Sequence, residues 1–237
     1  MTSGSTPTAC PVCGGHDFEF LQVIWPELAA EWRLSPEEVA YIDRQQGGRC
    51  VPCGMHFRSM ALACAIGQWL GVDGPLRDVL AAGERRFRIL EINEAGMLTP
   101  LLRQTADWTL AAYPEVDIHA LPYPDGCFDL VVHSDTLEHV DEPIRGLSEC
   151  RRVLKPGGAC CYTVPMVVGR MTCSRAGLPP SHHGSVGDGR PDFLVHTEFG
   201  VDAWTYPVRA GFDRVSLVVF EYPAAVAFAC EAFSGSI

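Results

Sequence analysis

The stretch from Asp117 to Pro165, DIHALPYPDGCFDLVVHSDTLEHVDEPIRGLSECRRVLKPGGACCYTVP, decides the fold. Pro124-Asp125-Gly126 marks a turn. Phe128 to His133 then forms an apolar, β-branched run too short for a helix and suited to a strand covered on both faces. Pro143 can open a helix at its first turn, and Ile144, Leu147, Cys150, Val153 and Leu154 recur at helical spacing until Lys155-Pro156-Gly157-Gly158 stops it. Ala159 to Val164 reads as the next strand. Strand, helix and strand within about forty residues make one βαβ unit, a right-handed piece of an open α/β sheet.

The order LPYPDGCFDLVV, LEHV and RVLKPGG closely resembles the class I, Rossmann-like S-adenosylmethionine-dependent methyltransferases of the type 11 kind, loosely from Arg86 to Phe220. The resemblance implies an α/β, mostly parallel open sheet with an antiparallel edge strand, S-adenosylmethionine as cofactor, and in-line transfer of its methyl group. Phe87 to Ile92 is expected as the first, central strand. Glu91 matches the family's acidic position after it, whereas Asn93, Ala95 and Met97 stand where three glycines are usual, with Gly96 displaced by one. Asn93 tolerates a left-handed backbone, so the turn can still form.

By the same resemblance, Glu91, Asn93 and Gly96 line the cofactor. Glu115, after a second strand over 108–112, is a candidate for the ribose hydroxyls, with a solvated loop acid as the other reading. Asp117 matches the residue that accepts from the adenine amino group, with Ile118 packing on the ring, and a loop cap is its other reading. His133, Ser134 and Asp135 fall at the carboxyl end of the 128–133 strand, where open α/β sheets hold ligands. His133 or Asp135 could take a proton from an acceptor. Glu138-His139 is a second-choice pair, read as structural.

Earlier in the chain, Cys10-Pro-Val-Cys13-Gly is answered by Cys50-Val-Pro-Cys53-Gly. Two such turns supply four thiolates, which is the donor set of a tetrahedral zinc site; a redox pair or two disulfides would use the same spacing. Between them, Ser35-Pro-Glu-Glu38 has the form of a capping box opening a short helix that ends at Gly47-Gly48. Trp25 and Trp32 beside it could face a substrate, although packing is the commoner role. The run from Ser59 to Leu70 is apolar almost all round and predicts a buried joining helix. The expected division is a zinc-binding module over 1–70 and a methyltransferase domain over 71–237.

Pro165 to Asp192 is irregular and rich in Gly, Pro, Ser and His, as a substrate loop at the ligand edge would be. His182 and His183 are possible substrate contacts there. A helix is expected from Phe193 to Phe212, with His196 and Glu198 near the site, followed by strands over 215–220 and in the final AAVAFACEAF. The 237 residues carry 47% hydrophobic content and a net charge of -11, which disfavours nucleic acid as partner. With no signal-peptide pattern and no long apolar run, a cytoplasmic protein off the membrane is expected. A small molecule is the favoured acceptor and a protein the second. The alternative from another class is a non-catalytic zinc-binding scaffold on the same fold.

Overall fold

A computed structural model describes residues 8–83, 86–182 and 193–233. The N-terminal part contains β1 (Phe18–Phe20), α1 (Pro26–Glu31), α2 (Pro36–Gly47), β2 (Gly48–Cys50), α3 (Phe57–Leu70) and α4 (Leu76–Ala82). β1 and β2 pair antiparallel. α2 begins as its sequence predicts: Ser35 Oγ accepts from the Glu38 amide at 3.2 Å, and a Glu38 carboxylate oxygen accepts from the Ser35 amide at 2.7 Å.

The second part continues with β3 (Arg88–Ile92), α5 (Thr99–Leu102), β4 (Asp107–Ala111), β5 (Phe128–Ser134), α6 (Pro143–Val153), β6 (Leu154–Thr163), β7 (Met166–Val167), β8 (Cys173–Ser174), β9 (Thr197–Gly200), α7 (Thr205–Arg209), β10 (Arg214–Glu221) and β11 (Ala225–Ala232). Six of these strands form one sheet in the order β10-β11-β6-β5-β3-β4. β4, β3, β5 and β6 are parallel neighbours, and β11 runs antiparallel to both β6 and β10. The last strand is thus the antiparallel one, inserted one place in from the edge. Lys155-Pro156-Gly157-Gly158, read as a helix stop, is taken into β6. A Cβ at Gly158 would lie 2.8 Å from the Asp129 carbonyl oxygen, so only glycine lets β6 approach β5 there.

Side-chain alternation divides the core into two faces. Ile89, Leu130, Val132, Ala159 and Cys161 pack on the face covered by α3, whose Met60, Leu62 and Ile66 are fully buried. Each such side chain contributes roughly 1.5–3 kcal/mol by leaving water. Leu90, Val131, Cys160 and Tyr162 pack on the opposite face, covered by α6 through Leu147, Cys150 and Val153. Phe57 joins the hairpin to the sheet: its buried ring meets Phe18, Phe20 and Phe220 edge-on at 5.9, 5.5 and 5.3 Å.

The expected helix from Phe193 to Phe212 does not form as one element. Thr197–Gly200 is a strand that pairs parallel with Met166–Val167 and antiparallel with Cys173–Ser174, and helix is confined to Thr205–Arg209. Phe199 packs in the core, and a Cβ at Gly200 would come within 2.2 Å of the Arg170 carbonyl oxygen. Backbone pairing to the 166–174 segment outweighs the weak helical periodicity. No helix among the described residues is long and apolar enough to cross a membrane.

Candidate functional site

The two Cys-x-x-Cys-Gly turns adopt the same backbone. Gly14 and Gly54 amides donate to the Cys10 and Cys50 carbonyls at 2.8 and 2.7 Å, and the Cys10 and Cys50 amides donate to the Gly15 and Met55 carbonyls at 2.8 and 2.9 Å. Gly14 and Gly54 have φ of 74° and 73°, which explains the glycine after each pair. Sulfur atoms of Cys10 and Cys53 lie 3.7 Å apart, those of Cys13 and Cys50 3.6 Å, and all four fall within 4.8 Å of one another. A tetrahedron of thiolates about 2.3 Å from one ion has edges of about 3.8 Å. Amides of Val12 and Gly15 donate to the Cys10 and Cys13 sulfurs at 3.4 Å. The four thiols are free of disulfides, and together they could hold one metal ion.

A crevice of about 800 Å³ opens at the carboxyl ends of β3, β4 and β5. Its floor is the turn after β3. Asn93 takes φ of 52°, donates its amide to the Ala111 carbonyl at 2.9 Å and accepts from the Tyr113 amide through Oδ1 at 3.0 Å. One side chain therefore lashes the ends of β3 and β4 together where glycines are usual. Asp117 lies on the crevice wall beside Ile118. Its Oδ1 accepts from the His119 amide and from His119 Nδ1, each at 2.8 Å, and the backbone donor foremost holds its carboxyl below the usual range. His119 Nε2 in turn lies 3.1 Å from Asp141.

The lining carries four carboxylates, those of Glu94, Asp117, Asp135 and Asp141, and among the described lining residues neither lysine nor arginine. Ser134, His139 and His196 complete its polar wall. Asp135, with φ of 46°, is gripped by the Arg58 guanidinium and accepts from Thr163 Oγ1 at 3.1 Å. Arg58 belongs to the first turn of α3, directly behind the second cysteine turn, and also donates to Gln46 Oε1 at 3.0 Å.

Four expected site residues lie elsewhere. Glu91 does not reach the crevice: it shares Ile89's face of β3, is fully buried, and lies beneath the turn. There its carboxylate accepts from the Ala95 amide at 2.8 Å, Thr99 Oγ1 at 2.5 Å and Trp108 Nε1 at 2.6 Å. His133 is neither at the crevice nor accessible, because strand alternation turns it to the α6 side. It stacks on Tyr162 with ring centres 4.7 Å apart, and burial pushes its imidazole down to about 3. Both its ring nitrogens lack a hydrogen-bond partner, so it holds no acid–base position. Gly96 and Glu115 are exposed and line no part of the crevice; Gly96, with φ of 59°, carries the chain away into a short 3₁₀ turn.

His182 and Glu198 line a second cavity that adjoins the crevice, Glu198 bound to Arg175, whereas His183 lies outside the described residues. Residues that sequence patterning did not single out include Asp141 and Phe193 in the crevice and Arg170, which ties the two parts. Arg170 donates to both Glu38 carboxylate oxygens, at 2.8 and 2.7 Å, and to the Trp32 carbonyl at 3.1 Å. A lone arginine between two short strands carries no periodic signal.

The Arg170 hydrogen bonds foremost hold the Glu38 carboxyl below its usual range. A depressed carboxyl stabilises the fold above the ordinary glutamate pKa and loses that contribution as pH falls through its folded value. Acidification from about pH 5 to about pH 3 should therefore lower the melting temperature of the native chain more than that of Glu38→Gln. Thermal scans at both pH values check this; equal losses would show that the pair does not act.

A Rossmann-like sheet with a crevice at its carboxyl edge places the domain among open α/β folds that hold ligands there. Residues 71–162 match a family described as a methyltransferase domain, and this part of the chain belongs to the class I S-adenosylmethionine-dependent methyltransferases. The chain is 36% identical over 98 residues to a probable S-adenosylmethionine-dependent methyltransferase of Mycolicibacterium smegmatis, covering 39% of this chain and 35% of that protein. It is 40% identical over 75 residues to a demethylmenaquinone methyltransferase of Clavibacter sepedonicus, covering 30% and 31%. The chain thus spans about a third of the length of these two relatives. A solved S-adenosylmethionine-dependent methyltransferase from Mesorhizobium loti aligns with a TM-score of 0.40 at 15% identity, over 65% of this chain and 94% of that one.

Proposed function

We propose that this chain is a methyltransferase that uses S-adenosylmethionine to methylate a small-molecule acceptor, with one structural zinc ion in the four-cysteine cluster. The observation that carries the reading is the crevice's charge: four carboxylates, of which Asp135 is paired with Arg58 from outside the lining, and no lysine or arginine among the described lining residues fit a donor that bears a sulfonium and an ammonium. Bound there, the donor supplies a methyl group that an acceptor's nucleophile takes by in-line displacement.

The protein's own residues act by positioning. Asn93 fixes the turn against which the donor would lie, and Asp117, oriented by His119, would accept from the adenine amino group while Ile118 covers the ring. Arg58 and Thr163 hold the Asp135 carboxylate in place. Where the acceptor must lose a proton, His139 is the group at hand. Its Nδ1 donates to the Leu194 carbonyl at 3.0 Å, so Nε2 is the nitrogen left to accept, with Glu138 Oε1 3.7 Å away. The zinc reading rests on the matched cysteine turns and their tetrahedral sulfur spacing. The acidity of the chain and the lack of lysine and arginine among the crevice's described lining residues support a small molecule over nucleic acid.

Titration calorimetry with S-adenosylhomocysteine tests the reading. One saturable site per chain is expected, weakened about tenfold in Asp117→Asn through loss of a charge-assisted hydrogen bond. Absence of binding at roughly millimolar ligand would overturn it.

A further inference from the structure

A second cavity, of about 530 Å³, lies between the N-terminal module and the sheet domain. Its module side is apolar: Ile24, Trp25, Leu28, Trp32, Leu34 and Ile42 come from α1, α2 and the segments flanking α1. Met166, Val195 and Phe199 form the opposite wall. This cavity meets the acidic crevice at three residues that line both, Asp135, His139 and Phe193. Its polar groups lie mainly where the two spaces join, at Asp135 with Arg58 and at Glu138 beside His139, or are engaged in ties, as Arg170 is with Glu38 and Glu198 with Arg175.

From this arrangement we propose that the cavity is the acceptor chamber, that the cysteine module forms its apolar wall, and that the acceptor is a hydrophobic small molecule carrying a hydroxyl at one end. The inference rests on the methyltransferase reading for the identity of the neighbouring crevice. A space of this volume suits a small organic ligand, and its lining of two tryptophans and aliphatic side chains rewards apolar area rather than a sugar or a charged peptide. At the junction Asp135, Glu138 and His139 offer groups that accept a hydrogen bond from a hydroxyl beside the donor crevice, while elsewhere among the described lining residues Gln45, Thr197 and His182 are polar. An acceptor bound with its apolar body against Trp25 and Trp32 therefore presents its polar end toward the donor side.

The module's wall is fixed from three directions. Trp32 Nε1 donates to Ser181 Oγ at 3.2 Å, Arg170 grips Glu38 and the Trp32 carbonyl, and the Tyr41 hydroxyl accepts from the Val168 amide at 3.1 Å. These ties hold the tryptophans over the sheet edge, which gives Trp25 and Trp32 a site role that their sequence context leaves undecided.

The test uses the full chain and two probes in separate calorimetric titrations: 1-naphthol for the chamber and S-adenosylhomocysteine for the crevice. Trp32→Ala and, as a second variant that keeps the indole, Leu28→Glu should each weaken 1-naphthol by about tenfold while leaving S-adenosylhomocysteine within about twofold. Asp117→Asn should do the reverse. Glucose should give no saturable signal. If 1-naphthol fails to saturate in a chain that binds S-adenosylhomocysteine, or if glucose binds in its place, the chamber assignment is overturned and the methyltransferase reading stands. Loss of both probes in variants that melt like the native chain also overturns it. If 1-naphthol binds and S-adenosylhomocysteine does not, the donor reading falls and the apolar site remains.

Discussion

Alanine in place of Glu91 should destabilise the chain by about 3–5 kcal/mol, a fall in melting temperature of about 10 °C for a domain of this size. The carboxylate is fully buried and satisfies three donors, the Ala95 amide, Thr99 Oγ1 and Trp108 Nε1. Truncation leaves all three without their acceptor, two of them inside the core. Glu91→Gln is the sharper probe. It can keep an oxygen for Ala95 and Thr99 but sets an amide against the indole N–H, a loss of about 1–2 kcal/mol. Because Glu91 holds the 93–96 turn from below, both variants should also weaken S-adenosylhomocysteine, although the side chain lines no part of the crevice. Thermal melts and calorimetry on the same samples check this; unchanged donor-product affinity in a destabilised chain would show that the turn is fixed by Asn93 alone.

Removal of the proposed zinc ion should have the second large effect. A structural zinc site in a small module contributes on the order of 10 kcal/mol. Elemental analysis should find one zinc per chain. A chelator should abolish hydrogen-exchange protection across β1, α1, α2 and β2, leaving β3, β5 and β6 protected. The expected functional mark is selective: 1-naphthol binding is lost as the tryptophan wall comes away, whereas S-adenosylhomocysteine binds within about threefold. Cys50→Ser should reproduce the stripped state. A chain that purifies without metal and melts identically with and without chelator would exclude the zinc assignment.

The contrast between these two positions shows where sequence reading stops. The cysteine turns were readable because each is local: thiol, two residues, thiol and a glycine whose left-handed φ the bend requires. The capping box at Ser35 and Glu38 was readable for the same reason. Glu91 could be placed at the end of the central strand, but whether its carboxylate points into the crevice or under the turn depends on the parity of that strand within the sheet. The same parity sends His133 to the α6 face, while its neighbour Ser134 lines the ligand edge. Which face meets α3 and which meets α6 is a property of the assembled layers.

The sequence by itself determined the βαβ unit from Phe128 to Thr163, the capped helix at Pro36 and the pairing of two cysteine turns. Each depends on spacing and backbone chemistry within a few turns of chain. Only the tertiary structure decided that Arg58 reaches Asp135, that Arg170 ties Glu38 to the sheet edge, and that Trp25 and Trp32 line the second cavity. Those pairs lie 77 and 132 residues apart in the chain. Contacts at such separations leave no periodic trace, because side-chain reach and the packing of two layers set them, not local conformational preference.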